Sequence, residues 1–168
     1  MKRTHYCGEV RKSDIGKVVT LQGWVHRRRD HGGLIFIDLR DREGLVQVVF
    51  NPEKDSTSHQ TAGELRSEYV ITVSGEVAAR PQGTVNPKLP TGEIEILATS
   101  LEILNSSKTP PFAIDEESEV SESLRLQYRY LDLRRERLRE NLLFRYNFVG
   151  QSEISFTIRN LLMLKHHS

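Results

Sequence analysis

The chain has 168 residues, which is enough for one domain with a hydrophobic core and a short appendage. Charged residues make up 28% of it and apolar residues 37%, as in soluble globular proteins, and a net charge of +1 means that local charge must select any partner. The single cysteine, Cys7, excludes an internal disulfide, and no segment has the pattern of a membrane span or a signal peptide. We therefore expect a cytoplasmic protein with no membrane partner.

Three strands are predicted in the first third of the chain. Val19, Leu21, Gly23 and Val25 alternate with other residues, which is the period-2 pattern of a half-buried strand, and the glycine pair at 32–33 ends that pattern. The three strands are predicted at residues 17–29, 34–40 and 45–50, with hairpin chemistry at residues 41–44.

A helix and two further strands complete a barrel. Residues 61–68 are predicted to form a short helix, and residues 69–79 and 93–104 form strands separated by a loop rich in proline and glycine at 80–92. An all-β chain of five strands, with a helix between the third and the fourth, matches the order of an OB-fold barrel. An SH3-like barrel, the alternative, would not have a helix at that position. We therefore assign residues 1–106 to an OB-fold domain.

The remaining residues are predicted to lie outside the barrel. Two prolines followed by acidic residues and serines indicate a linker at residues 107–123. Residues 124–145 are predicted to be a helical segment with a break near Asp132, because charged and apolar residues recur at helical spacing. Residues 146–168 are an apolar tail without a recognisable motif, whose exposed side chains would favour aggregation or disorder.

Basic and aromatic residues are predicted to meet on one face of the first two strands. Arg27 and Arg29 share a face of the first strand, and Phe36 lies with Asp38 on the more polar face of the second. Together they would form a phosphate clamp beside a stacking platform, which is how single-stranded nucleic acid is held. The alternative is that the arginines only solubilise a strand end and that Phe36 belongs to the core.

Two further polar residues are candidates for reading base edges. The amide of Gln47, in the middle of the third strand, can both donate and accept a hydrogen bond. Glu93, at the start of the fifth strand, could accept from the amino group of a base. Each could instead be an ordinary polar residue that faces solvent.

The sequence contains no sign of a metal centre or of catalysis. The six histidines and Cys7 do not have the spacing of zinc ligands, and no phosphate-binding loop, dinucleotide fingerprint or nucleophile elbow is present. We therefore predict no catalytic residue, no metal site and no cofactor in this chain.

Three separated motifs resemble one family in the right order. They are GWVHRRRDHGGLIFIDLRDREGLVQVVF at residues 23–50, TGEIEILA at 91–98 and LRLQYRYLDLRR at 124–135. From Met1 to Arg145 the chain is similar to the amino-terminal part of bacterial-type aspartyl-tRNA synthetases. The resemblance implies an OB-fold anticodon-binding domain followed by a class II catalytic domain, which uses ATP and magnesium to attach aspartate to tRNA.

The resemblance also implies roles for individual residues in anticodon binding. Phe36 would stack on the central base, Gln47 and Arg29 would read or clamp the bases, with Arg27 beside them, and Glu93 would help to read the last base. His31 and Gly83 resemble the choices in non-discriminating members, which charge both tRNA-Asp and tRNA-Asn. A small polar rim would accept either cytosine or uracil as the last anticodon base.

The chain departs from the family after residue 145. Residues 124–145 would be the hinge and the start of the catalytic domain, but the dimer motif and the ATP-binding motifs of the family are not found in residues 146–168. We therefore expect a truncated chain that is inactive alone and, although family members are homodimers, a monomer. A general single-strand-binding protein remains the alternative.

Overall fold

A computed structural model describes residues 2–115 and 118–165, and residues 151–165 by their backbone alone. Contacts divide the chain into two compact units between Pro110 and Pro111. The first unit begins with two short 3₁₀-helices, Cys7–Glu9 and Lys12–Asp14, followed by five strands and one α-helix. The strands and the α-helix are β1 (Val18–His31), β2 (Leu34–Arg40), β3 (Leu45–Phe50), α1 (Ser56–Glu64), β4 (Val70–Ala79) and β5 (Ile94–Asn105).

The five strands close into a barrel in the order β1-β2-β3-β5-β4. Strands β3 and β5 are parallel, and every other neighbouring pair is antiparallel. The predicted OB-fold, with its helix between the third and fourth strands, is therefore confirmed.

The inward face of every strand supplies the core. In β2 buried and part-exposed residues alternate without exception, so that Ile35, Ile37 and Leu39 point inward. The largest fully buried side chain is Phe50, at the end of β3. Since the opposite faces of β1 and β2 are not needed for the core, they can carry polar and aromatic residues for another purpose, whereas β3 is buried on both faces from Val46 to Phe50.

A bulge changes the direction of the side chains halfway along β1. Val25 lies opposite Leu39 and Arg27 lies opposite Asp38, so His26 is an extra residue that falls outside the backbone register between β1 and β2. One extra residue shifts the alternation of a strand by one position. Val19, Leu21 and Val25 point into the barrel, and Arg27 and Arg29 point out of it, although all five positions are odd-numbered.

The hairpin between β1 and β2 depends on two glycines. His31 pairs with Leu34, which leaves Gly32 and Gly33 as a two-residue loop with φ angles of 59° and 80°. A loop with φ positive at both positions matches the right-handed twist of the flanking strands, and glycine adopts it without steric cost.

The predicted boundaries of the helix were wrong. Helix α1 begins five residues earlier than residues 61–68 indicated, because the Asp55 side chain accepts a hydrogen bond from the backbone amide of Thr57 at 3.1 Å and caps the helix. It ends at Glu64, and Glu68, the last residue of the predicted helix, has a positive φ of 66°.

The second unit is helical, as predicted. It contains α2 (Glu122–Gln127), α3 (Arg129–Asp132) and α4 (Glu136–Lys165), so the predicted break near Asp132 is confirmed. Asp132 is fully buried, and its carboxylate accepts from Arg125 Nε at 2.9 Å and from Arg129 Nη1 at 2.8 Å. Arg135 Nη1 lies 3.9 Å from the same carboxylate.

Two segments of this unit differ from the predicted linker and tail. Phe112 and Ile114, inside the predicted linker at 107–123, are buried against Leu131. Helix α4 continues through most of the predicted tail at 146–168, of which residues 166–168 lie outside the described residues. Within the described part of the chain, no helix combines the length and the hydropathy that a bilayer span requires.

Candidate nucleic-acid interface

The bulge in β1 places the arginines beside the aromatic ring. Arg29 lies directly opposite Phe36, and Arg27 lies directly opposite Asp38, so all four side chains emerge on the outer face of the barrel. Phe36 is half-buried and Arg27 is exposed. The predicted pairing of Arg27 and Arg29 on one face with Phe36 is confirmed.

A chain of hydrogen bonds crosses four strands on this face. Arg29 Nη2 donates to Asp38 Oδ1 at 2.6 Å and lies 3.5 Å from Gln47 Oε1. Gln47 Nε2 donates in turn to Glu95 Oε2 at 3.0 Å. The amide of Gln47 therefore has a fixed orientation, with its oxygen toward the guanidinium and its nitrogen toward the carboxylate.

Glu95 is a largely buried carboxylate at the centre of this face, with 8% of its surface exposed. Burial raises the pKa of Glu95, while the hydrogen bond from Gln47 and the charge of Arg80 act in the opposite direction. Burial likewise lowers the pKa of Arg80, opposed by the charges of Glu95 and Asp38. Arg80 is held by its Nε, which donates to the carbonyl oxygen of Ile94 at 2.9 Å.

Glu93, the acidic residue selected from the sequence, occupies a different environment. Its side chain is 58% exposed and forms an ion pair with Lys12, whose Nζ lies 3.0 Å from Oε1. Glu93 lies in the turn directly before β5 and Glu95 lies within the strand, and only Glu95 bonds to Gln47. A role for Glu93 in base recognition stays a prediction.

The sequence reasoning missed Glu95 and Arg80. The E-I-E spacing at 93–95 contained the signal for Glu95, since residues two apart on a strand point the same way. Nothing local distinguishes Arg80, which directly follows β4 and lies near Glu95 because β4 and β5 pair antiparallel, with Ala78 opposite Glu95.

His31 and Gly83 lie in two separate turns. His31 is exposed and begins the hairpin loop between β1 and β2. Gly83 has a φ of 87° in a turn closed by the amide of Thr84, which donates to the carbonyl oxygen of Pro81 at 3.1 Å. In residues 2–115, neither joins the hydrogen-bonded chain of Arg29, Gln47 and Glu95. Their influence on specificity stays a prediction.

Among the residues that the structure describes, no group of three or more histidine, cysteine, aspartate or glutamate side chains is placed to hold a metal ion. Cys7 is buried, and burial raises the pKa of its thiol far above the usual range, so the thiol is protonated at neutral pH.

A closed five-stranded barrel with guanidinium groups, a half-buried ring and an oriented amide on one face defines an OB-fold domain of the nucleic-acid-binding class. The family model of the tRNA anticodon type, described as an OB-fold nucleic acid binding domain, matches residues 19–104. This match spans about half of the chain, and the chain therefore belongs to that family.

Comparison with individual proteins gives a closer relationship. The chain is 61% identical over 160 residues to an aspartate–tRNA(Asp/Asn) ligase of Desulfatibacillum aliphaticivorans, a match that covers 95% of this chain and 27% of the ligase. It is 60% identical over 146 residues to the ligase of the same name from Halothermothrix orenii, covering 87% of this chain and 25% of that protein. The resemblance to aspartyl-tRNA synthetases is thus confirmed, and the chain spans about a quarter of the length of these relatives.

A solved structure supports the same relationship. The asparaginyl-tRNA synthetase of Pyrococcus horikoshii in complex with asparaginyl-adenylate has a TM-score of 0.64 and 32% sequence identity. The match covers 80% of this chain and 29% of the synthetase.

Proposed function

We propose that the outer face of the barrel binds the anticodon loop of tRNA, as the anticodon-binding domain of an aspartate–tRNA ligase. The observation that carries the proposal is the position of Arg29 directly opposite Phe36 and within reach of the Gln47–Glu95 pair. One face thus supplies three kinds of group. Arg29 provides a cation for the phosphate, Phe36 provides a ring for the base, and the Gln47–Glu95 pair provides an amide and a carboxylate for the base edge.

Each group has a separate task in this proposal. Phe36 stacks on an unpaired anticodon base, and Arg29 and Arg27 neutralise the phosphates on either side of it. Gln47 and Glu95 meet the edge of a base, where the carboxylate accepts from an amino group and the amide both donates and accepts. Asp38 already orients Arg29, and Glu95 already orients Gln47. The side chains of Arg29 and Gln47 therefore need little rearrangement when RNA binds.

The tRNA partner is proposed to be tRNA-Asp together with tRNA-Asn. Their anticodons, GUC and GUU, differ only in the last base, so one face can read the shared bases and tolerate either pyrimidine at the end. The relatives named above are called tRNA(Asp/Asn) ligases, which supports the same specificity. The polar His31 and the side-chain-free Gly83 are the proposed sources of this tolerance.

Attachment of aspartate to tRNA is proposed for the longer relatives that this chain matches, not for the described residues. The ATP and magnesium of that reaction are assigned by resemblance to a class II catalytic domain, and we propose no site for either in the barrel. A cytoplasmic location and a homodimer of the longer enzyme are proposed on the same resemblance.

Binding to short RNA hairpins tests the proposed function. We expect tight binding of anticodon stem–loops with GUC and GUU, and much weaker binding of the same stem with a scrambled loop, measured by fluorescence anisotropy at fixed salt. Equal affinity for all three hairpins and for poly-U would instead show a general single-strand-binding protein.

A further inference from the structure

A second basic feature lies on the barrel outside the face described above. Strand β1 pairs with β4 only as far as Trp24, and beyond it the segment that follows α1 runs alongside β1. The amide of Val25 donates to the carbonyl oxygen of Tyr69 at 2.9 Å, and the amide of Glu68 donates to the carbonyl oxygen of Val25 at 2.7 Å. These bonds leave an open groove of about 450 Å³ next to the bulge. The groove is lined by His26, Arg27, Arg28, Asp30, Leu65, Arg66 and Ser67.

One arginine of the groove already has a structural role. Arg28 forms an ion pair with Asp30, with Nη2 lying 2.6 Å from Oδ2, and its Nη1 donates to the carbonyl oxygen of Gly63 near the end of α1. A cation at the C-terminus of a helix satisfies its last carbonyl groups. Arg28 and Asp30 therefore build the wall of the groove and neutralise each other.

Two other arginines of the groove carry charges that no acidic side chain of the described barrel neutralises. Arg27 and Arg66 are exposed, and neither guanidinium has a hydrogen bond or an ion pair with any residue of the described barrel. Each guanidinium has five donors in a planar fork that fits a phosphate. The hydroxyl of Ser67 adds a further donor on the same wall. The groove therefore has a net positive charge and donors that no protein group uses.

The groove is continuous with the outer face of the barrel that carries Arg29, Phe36 and Gln47, which we call the reading face. Arg27 lines the groove and also emerges on the outer face, two residues from Arg29. Two residues along a strand correspond to about 6.6 Å. An RNA strand that leaves the ring of Phe36 past Arg29 would thus meet Arg27 next and then Arg66.

We propose that this groove binds backbone phosphates of the same RNA, on the nucleotides that flank the anticodon. This inference rests on the proposed function, because the reading face must first position the RNA. Phosphate contacts add affinity and fix orientation without reading sequence. Arg66 is the new binding residue, and Arg27 joins the groove to the reading face.

The test replaces Arg66, whose side chain has no partner in the barrel that folding would miss. The GUC stem–loop is titrated at several salt concentrations with two variants of this residue, Arg66→Ala and the charge-reversed Arg66→Glu. The control is Lys17→Ala, which lies directly before the other end of β1. We expect Arg66→Ala to weaken binding about three- to tenfold and to reduce the slope of log K against log salt by about 0.7 to 0.9. Arg66→Glu should weaken it further, and Lys17→Ala should leave affinity and slope unchanged.

The ratio of affinities for the GUC loop and the scrambled loop separates this inference from the proposed function. The ratio should be the same in Arg66→Ala as in the unmodified protein, whereas Phe36→Ala should reduce it. If Arg66→Ala leaves affinity and slope unchanged while Phe36→Ala reduces the affinity, the groove does not bind RNA phosphates. The proposed function would then still stand. A titration with inorganic phosphate, followed by NMR, provides a further arm. Phosphate binding that depends on Arg66, without any effect of Arg66 on RNA affinity, would show an anion site unrelated to RNA and would also overturn the inference.

Discussion

Gln47 and Glu95 are joined by a hydrogen bond between side chains on the two parallel strands of the barrel, from Nε2 to Oε2 at 3.0 Å. Gln47 is only 6% exposed and Glu95 only 8%. A polar pair of this kind is costly to bury unless its members satisfy each other, and this hydrogen bond pairs one amide donor with one carboxylate oxygen.

Replacement of the ring tests stacking. We expect Phe36→Ala to weaken binding of the GUC stem–loop by about 5- to 150-fold, which corresponds to about 1–3 kcal/mol, because the flat surface for one base is lost. Anisotropy titration measures it. Phe36→Trp is the control, since it keeps a π surface and should retain most of the affinity. Equal affinities for all three proteins would contradict stacking on Phe36.

Removal of the buried charge tests the electrostatics of the face. Burial raises the pKa of Glu95, so the folded protein holds this proton more tightly than the unfolded chain. The corresponding stabilisation is present at low pH and is lost as the pH rises through the folded-state pKa. Glu95→Gln should therefore raise the free energy of unfolding at neutral pH, with a gain that shrinks toward about pH 4, near the ordinary pKa of glutamate.

Urea unfolding at several pH values measures this gain. The control is Glu93→Gln, which removes an exposed ion pair with Lys12 and should change stability by less than about 1 kcal/mol. A gain in Glu95→Gln that is constant across the pH range would exclude the proposed cause. The same variant should also bind the GUC stem–loop more weakly, because an amide replaces the carboxylate that accepts from a base amino group.

Variants of His31 and Gly83 test whether these two residues allow both the GUC and the GUU anticodon to bind. We expect His31→Leu combined with Gly83→Lys to increase the ratio of the dissociation constants for GUU and GUC loops by roughly tenfold, or about 1.4 kcal/mol. Gly83 has a positive φ, so lysine also strains the turn. Gly83→Asn is the control, because asparagine tolerates this conformation and adds no charge. An unchanged ratio in the double variant would remove both residues from the specificity of the site.

The buried carboxylate of the second unit tests its stability. Asp132→Ala leaves Arg125, Arg129 and Arg135 without their common partner and should reduce local stability by about 3 kcal/mol. Hydrogen exchange should become faster for the amides of residues 122–135 and stay unchanged in the barrel strands. The exposed Glu122→Ala is the control and should alter neither. Protection equal to that of the unmodified protein would show that the cluster contributes little.

Alternation of apolar residues, together with the order of the elements, was sufficient to predict the five strands and the barrel. It could not reveal the neighbours that depend on closure of the barrel. Gln47 and Glu95 are 48 residues apart and meet because β3 and β5 pair in parallel, a register that neither strand encodes alone. The start of α1 was missed for a different reason, since Asp55 caps it before the periodic pattern begins.

Strict alternation would have given the wrong direction for the arginines. Continued from Val25, the period of two assigns Arg27 and Arg29 to the core, where two unpaired charges would be prohibitively costly. The sequence prediction that they share a face was right, but their outward direction depends on the bulge at His26. A bulge is an irregularity of pairing, and only the register against β2 reveals it.

The bulge also makes the number of residues in β1 more important than their identity. Before it, any alternation of apolar and polar side chains would preserve the barrel. Across it, insertion of a single residue between His26 and Arg27 would turn both guanidinium groups from solvent toward the core and leave Phe36 without its cation. Among homologues we therefore expect substitutions to be common in the first half of this strand, whereas single-residue insertions should be absent between the bulge and Arg29.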